Sequence, residues 1–307
     1  MHDKIKFSLF LLHPRYWITW IGLVVLFCLV QLPYPILIRI GFTIGTLSKF
    51  FLKRREKITR RNIELCFPLM PLDKKKKLVK DTFSSLGMAL VETGIAWFWS
   101  DTRIRTLFSV KGIFNLQKAI SENKGVMVIG VHFMSLELGG RIIGLCQPMM
   151  AMYRPHNNGV IEWIQTKCRM RSNKAMIKKK HLRIMIKALK NGEIVWFAPD
   201  QDYGPRGSVF APLFGVKQAA TTNGTFVVAK LAQPVILTIV LIRNKNNDGY
   251  HLIIGSELKD YPKKDKIAAA TYMNKILENE ILRAPEQYLW LHRRFKTRPK
   301  NENSLYQ

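Results

Sequence analysis

The chain has 307 residues, 48% of them hydrophobic, and a formal net charge of +28. That apolar content excludes a disordered basic tail, and the length suits one large domain with an appendage. The charge calls for anionic partners: nucleic acid, an anionic leaflet, a phosphorylated substrate or an acidic protein.

Tyr16 to Ile38, YWITWIGLVVLFCLVQLPYPILI, carries no Asp, Glu, Lys or Arg over 23 residues. It lacks the small-residue cleavage site of a secretory signal. Pro33 and Pro35 are expected to stop its helix near Leu32. About 17 residues then remain, the lower limit for crossing a bilayer core. Tyr16, Trp17 and Trp20 suit an interfacial belt at one end. Lys4, Lys6 and Arg15 precede the run, and eight Lys or Arg follow it between Arg39 and Arg61. This asymmetry places the C-terminal bulk in the cytoplasm. The segment is read as a single-pass helix, with a monotopic interfacial helix and a buried soluble helix as alternatives.

Residues 39–61 form a basic collar that gains roughly 1 kcal/mol per Lys or Arg near an anionic leaflet. PLDKKKKLVKDTFSSLGMALVETGIAWFW reads as a helix with a solvated basic first half. From about residue 108 the pattern alternates between strand and helix. Val126–Val131, QPMMAMYRP and EIVWFAP are strands; MSLELGGRIIGL, VIEWIQTKCRMRS and HLRIMIKALKNG are helices, the last closed by Gly192. A Gly- and Pro-rich loop follows. TTNGTFVVAKLAQ is then a helix, PVILTIVLIR and GYHLIIGSEL are strands about a turn at Asn246–Gly249, and DKIAAATYMNKILENEILRA is a long helix. The fold class is α/β, a sandwich about a mainly parallel central sheet. Cys28, Cys66, Cys146 and Cys168 show no CxxC or metal-ligand spacing, as reduced structural thiols would.

In GVMVIGVHFMSLE an apolar run ends in His132, and Glu137 follows five residues on. On one continuous helix these side chains would diverge by about 140°. They can meet only if His132 lies in a strand-to-helix turn and Glu137 in the first turns of the helix. There Glu137 would accept one imidazole proton and free the other nitrogen to act as a base. No nucleophilic Ser or Cys elbow is present, so direct attack by an acceptor hydroxyl is preferred to a covalent intermediate. Arg154 in MYRPHNN, Arg169, Arg171 and Asn173 in CRMRSNK, and Asp200 in APDQDYG are further candidates. With the His132 segment these make four, and three of the four end strands, where doubly wound sheets build their sites. Ion pairs with Glu162 or Asp202 are the alternative for Arg154 and Arg169, and a loop cap for Asp200. His13, His156, His181, His251 and His292 have no comparable carboxylate and are read as structural or surface residues.

These segments, with LLHPRYW, QLPYP, RRNIELCFP, ETGIAWFW, GVHFMSLELGGR and APEQYLWLHRRFKTRP, resemble the late acyltransferases of lipid A assembly. That group lies within the lysophospholipid acyltransferase superfamily and its His-x-x-x-x-Asp/Glu signature. The likeness covers essentially the whole chain. HFMSLELGGR, CQPMMA, YRPHNN and PDQDYG look closer to the palmitoleoyl-transferring branch than to the lauroyl-transferring one.

The resemblance implies a lysophospholipid-acyltransferase-like sandwich behind a membrane helix, on the cytoplasmic face of the inner membrane. Residues 1–38 would be the anchor, 39–107 the juxtamembrane and helical segment, and 108–307 the catalytic domain. The implied reaction moves a fatty acyl chain from acyl carrier protein to the 3-hydroxyl of an acyl chain of di-Kdo lipid IVA. The family pattern gives His132 as general base, Glu137 as its partner and Arg154 as the second block. The third block, usually Pro-Glu-Gly, is here Pro199-Asp200-Gln201-Asp202. The phosphates of the acceptor, the acidic carrier and an anionic membrane surface would account for the charge. Thioester chemistry of this kind needs no cofactor or metal. The oxyanion would fall to backbone N–H groups after His132 or to a nearby arginine. The basic tail HRRFKTRPK is read as touching phosphates or as solvated. A lysophosphatidate acyltransferase is the rival within the superfamily. A nucleic-acid-binding module has only the charge in its favour and no binding motif.

Overall fold

A computed structural model describes residues 7–306. Two helices stand where one was expected. α1 (Trp17–Leu29) has 13 residues and α2 (Tyr34–Phe51) has 18. Pro33 and Pro35 do not merely stop a helix. They open the next one, with Pro35 in its first turn, where a missing N–H costs nothing and the fixed φ is already helical. At 1.5 Å per residue α1 spans about 20 Å, well short of a bilayer core of about 30 Å. No single helix among the described residues is long and apolar enough to cross a membrane. Where a spanning helix through Leu32 was expected, the chain forms a 13-residue helix followed by a turn, and α2 meets the requirement of length and composition only as a bent pair with the helix that follows it. Val30 caps α1, and its carbonyl accepts the indole N–H of Trp99 at 2.6 Å.

α2 bends by 98° into α3 (Lys53–Cys66). The 27-residue α4 (Leu72–Phe98) lies against α2 so closely that backbones touch. A Cβ on Gly87 would sit 2.0 Å from the carbonyl oxygen of Gly41, so this crossing admits only glycine. One side of the α1–α2 pair packs inward through Leu23, Leu26 and Leu37. The other leaves Ile18 85% and Phe51 84% exposed, with Trp17, Ile21, Val24, Val25, Leu47 and Phe50 also exposed.

The remaining elements alternate. They are α5 (Asp101–Arg105), β1 (Phe108–Lys111), α6 (Ile113–Ser121), β2 (Val126–Ile129), α7 (Leu136–Cys146), β3 (Met150–Tyr153), α8 (Gly159–Arg169) and β4 (Ala175–Lys178). Then come α9 (Leu182–Lys190), β5 (Ile194–Phe197), β6 (Ser208–Leu213), β7 (Val216–Thr222), α10 (Gly224–Ala232), β8 (Val235–Arg243), β9 (Tyr250–Ile254) and α11 (Lys266–Leu282). Seven strands form one sheet in the order β1-β9-β8-β2-β5-β3-β4. Every pair is parallel except β8 with β9, which the Asn246–Gly249 turn joins as a hairpin. All four residues of β2 are buried, the mark of a parallel strand covered on both faces. Met127 and Ile129 face α9, α10 and α11, while Val126 and Val128 face α1, α7 and α8. Each such buried aliphatic contributes roughly 1.5–3 kcal/mol.

The structure departs from expectation between β5 and α10. A two-stranded antiparallel hairpin, β6–β7, occupies what reads as a Gly- and Pro-rich loop. Its Pro212 is tolerated because the strand has a free edge.

Candidate active site

His132 lies in the turn between β2 and α7, at the carboxyl end of the central strand. Gly130 lets the Trp196 indole pack against that turn, since a Cβ there would come 2.4 Å from its Nε1. β5 runs beside β2 with Ile129 opposite Phe197, so the chain leaving β5 delivers Asp200 to the same edge. Asp200 is 1% exposed and holds His132 twice. Its Oδ2 accepts the backbone N–H of His132 at 2.9 Å, and its Oδ1 lies 2.6 Å from Nδ1. Nδ1 is thereby the donor, and Nε2 carries no hydrogen bond among the described residues. Burial alone would push the Asp200 carboxyl up. The His132 charge and the hydrogen bonds from His132 and Tyr288 outweigh it and hold the group below the usual carboxylate range.

The pairing of His132 with Glu137 expected from their spacing is absent. Glu137 sits in the first turn of α7 and turns sideways toward α8 and α4. The fork of Arg169 grips it through Nε at 3.2 Å and through Nη2, Gln165 donates at 2.9 Å, and the Trp97 indole at 3.3 Å. Four donors saturate the carboxylate and leave nothing for the imidazole. Burial raises the Glu137 pKa, but Arg169 and these hydrogen bonds overcome it and the net direction is down.

Both residues line a cavity of about 240 Å³. Its polar wall comprises His132, Glu137, Arg169, Asn173 and Arg154, which makes no salt bridge among the described residues. Ser135 and Tyr153 add two hydroxyls, and most of the remaining lining is apolar, including Ile143, Met149, Ala151, Met176, Trp196, Ile239 and Leu241. Asn173 donates to the Arg169 carbonyl at 3.0 Å. Arg171 is not brought to the cavity. It donates to the carbonyls of Trp97 and Trp99, 2.8 and 3.2 Å away, and ties α4 to the segment after α8. Of the expected oxyanion donors, the N–H groups of Phe133 and Met134 are already spent on the carbonyls of Val131 and Gln287. Among the described residues no three His, Cys, Asp or Glu side chains converge as metal ligands.

Reading the sequence missed the segment Gln287–Leu289, which straps the His132 turn. Leu289 donates to the His132 carbonyl at 3.1 Å, and Phe133 pairs with Tyr288 as a bridge. The Gln287 amide clasps the backbone of Arg243 at 2.9 and 3.1 Å, while the Arg243 guanidinium is buried on Glu92 at 2.7 Å. His292, expected to be structural or on the surface, is half-buried behind this strap. The only local signal for the strap was the APEQYLWLH stretch itself, which carries no periodicity.

A strand-end imidazole oriented by a buried carboxylate, beside an apolar cavity with an arginine in its wall, is the equipment of an acyltransferase. A sequence profile described as bacterial lipid A biosynthesis acyltransferase matches residues 4–297, and the chain belongs to that family. It is 60% identical over 306 residues to the lipid A biosynthesis palmitoleoyltransferase of Escherichia coli (strain K12), covering 100% of both chains. It is 50% identical to the lipid A biosynthesis lauroyltransferase of the same strain, covering 98% of each. A lipid A biosynthesis acyltransferase of Haemophilus influenzae is 43% identical across 98% of this chain and 97% of the relative. The protein is an acyltransferase of lipid A biosynthesis.

Proposed function

We propose that the chain transfers a palmitoleoyl group from acyl carrier protein to the 3-hydroxyl of an acyl chain on di-Kdo lipid IVA. The observation that carries the mechanism is the double hold of Asp200 on His132, which leaves Nε2 free as a base. The acceptor hydroxyl attacks the thioester carbonyl while Nε2 takes its proton. The tetrahedral intermediate then collapses, the carbon–sulfur bond breaks, and the imidazolium returns the proton to the departing thiolate. Asp200 fills the role first expected of Glu137, and Glu137 with Arg169 forms a rigid wall of the cavity. The apolar part of that cavity takes the donor chain, and Arg154 meets an anionic group of the acceptor. The greater identity to the palmitoleoyltransferase than to the lauroyltransferase supports the choice of donor.

The exposed apolar side of α1 and α2 supports a monotopic seat in one leaflet, with the basic α3 at the headgroups of the cytoplasmic face of the inner membrane. The test is mass spectrometry of di-Kdo lipid IVA incubated with the enzyme and mixed acyl-carrier thioesters. A gain of one palmitoleoyl group is expected. A gain of laurate would retain the mechanism and change the donor, and acylation of lysophosphatidate instead would overturn the acceptor.

A further inference from the structure

Several regions of this basic molecule hold clustered cations, and two of them, α3 and the turn from β4 into α9, differ in their surroundings. α3 follows directly on the exposed Phe50 and Phe51, as a headgroup-binding segment would. The turn from β4 into α9 is of another kind. Lys178, Lys179, Lys180 and Arg183 are all exposed, and none makes a salt bridge among the described residues. The two carboxylates on the loop after β5 are committed, Asp200 to His132 and Asp202 to Thr297.

This turn adjoins the mouth of the cavity. Lys178 lies opposite Tyr153 in the β3–β4 register, and the Lys179 N–H donates to the Tyr153 carbonyl at 2.8 Å. Tyr153 and its neighbour Arg154 line the cavity. The Lys179 ammonium stands 5.6 Å from the ring centroid of Tyr203, three residues beyond Asp200. α9 packs on the opposite face of the sheet from α1: Met185 and Leu189 join the side of Met127 and Ile129, whereas Leu23 and Leu26 join that of Val126 and Val128. The basic turn therefore leads into a helix on the face of the sheet opposite α1. Ile184, 48% exposed among these cations, offers an apolar anchor to a protein surface.

We infer that Lys178, Lys179, Lys180 and Arg183 form the docking surface for the acidic protein that carries the acyl thioester, steering its arm into the cavity beside His132. This rests on the carrier protein being the donor, as proposed above. Uncompensated charge around a cleft raises encounter rates by roughly 10- to 1,000-fold at low salt and loses that advantage as salt rises.

The test reverses the four charges in the full-length enzyme, as K178E/K179E/K180E/R183E, with the four glutamines as a milder companion. Transfer is measured from the acyl carrier and from the same acyl group on coenzyme A. The expected result is a KM for the carrier-borne donor raised at least ~10-fold, flat salt dependence and unchanged kcat. The glutamine variant should fall between, and the coenzyme A rates and binding to anionic vesicles should match wild type. An unchanged carrier KM overturns the docking surface. So does an equal loss with both donors, which would assign these cations to the acceptor, or a loss of vesicle binding, which would assign them to the membrane. A wild-type enzyme that accepts only the coenzyme A thioester overturns the donor itself, a failure separate from any effect of the variants.

Discussion

Asp200 binds the backbone N–H and the Nδ1 of His132 with its two oxygens, so one buried carboxylate fixes both the position and the tautomer of the imidazole. The pair is 68 residues apart in sequence and is brought together by two adjacent parallel strands. Asp200→Asn is expected to keep the fold and lower kcat by about 10³- to 10⁴-fold, because an amide can turn its NH₂ to Nδ1 and stabilise the wrong tautomer. His132→Ala should lose about 10²- to 10⁴-fold. Steady-state rates with both substrates saturating check this, and near-full turnover by either variant would refute the assigned roles.

The Glu137–Arg169 pair makes a different prediction. Arg169→Met leaves a half-buried carboxylate without its counter-charge and should destabilise the protein by about 2–4 kcal/mol, more than Glu137→Gln does. If Glu137 were instead the partner of the imidazole, Glu137→Gln would match Asp200→Asn in kcat. Chemical denaturation in detergent, with rates on the same samples, separates the two.

The sign of the Glu137 shift sets a pH window. Its folded pKa is below the unfolded value, so its contribution is complete above the ordinary carboxylate pKa of about 4.3 and disappears as pH falls through the folded value. The stability difference between wild type and Glu137→Gln should therefore be level from about pH 8 to 5 and shrink below about pH 4. Thermal melts across that range provide the measurement, and a difference that grows in acid would show the shift to be upward.

Gly140 lines the cavity from α7, and a side chain there would meet open space. Gly140→Ala should stabilise the helix by ~0.5–1 kcal/mol. Gly140→Leu should fill the cavity and turn preference from palmitoleoyl toward lauroyl donors, by ~10-fold or more for the several methylenes excluded. Competition between the two thioesters, read by product mass, decides it.

Ile18 and Ile21 belong to the exposed apolar side of α1. Replacing both with Asp should weaken vesicle binding by at least ~10-fold, since each buried side chain is worth roughly 1.5–3 kcal/mol. Turnover of a detergent-solubilised acceptor should be preserved. Vesicle sedimentation with retained binding would reject the monotopic seat.

The β2–turn–α7 unit was legible because a continuous apolar run followed by helical periodicity is a local pattern, and the His132 turn falls between them. The partner of His132 was not, since spacing along the chain says nothing about which strand lies beside β2. Glu137 looked nearer in sequence, while Gln165, Arg169 and Trp97 claim it from two other helices. β1 and β4 escaped notice because their four residues end in lysine and lack the continuous apolar run that marks β2 and β5. Pro33 and Pro35 carried a true signal read in one direction only: a residue that ends one helix can begin the next.

The clasp of Gln287 on Arg243 gives the enzyme an order of assembly on the ribosome. Every strand of the sheet is made before the strap, since β9 ends at Ile254. His132 and Asp200 also emerge well before the strap at Gln287–Leu289 that anchors the His132 turn. The sheet is thus made before the base is locked in place, and a truncated product lacking the strap would carry both His132 and Asp200 yet leave the His132 turn unanchored.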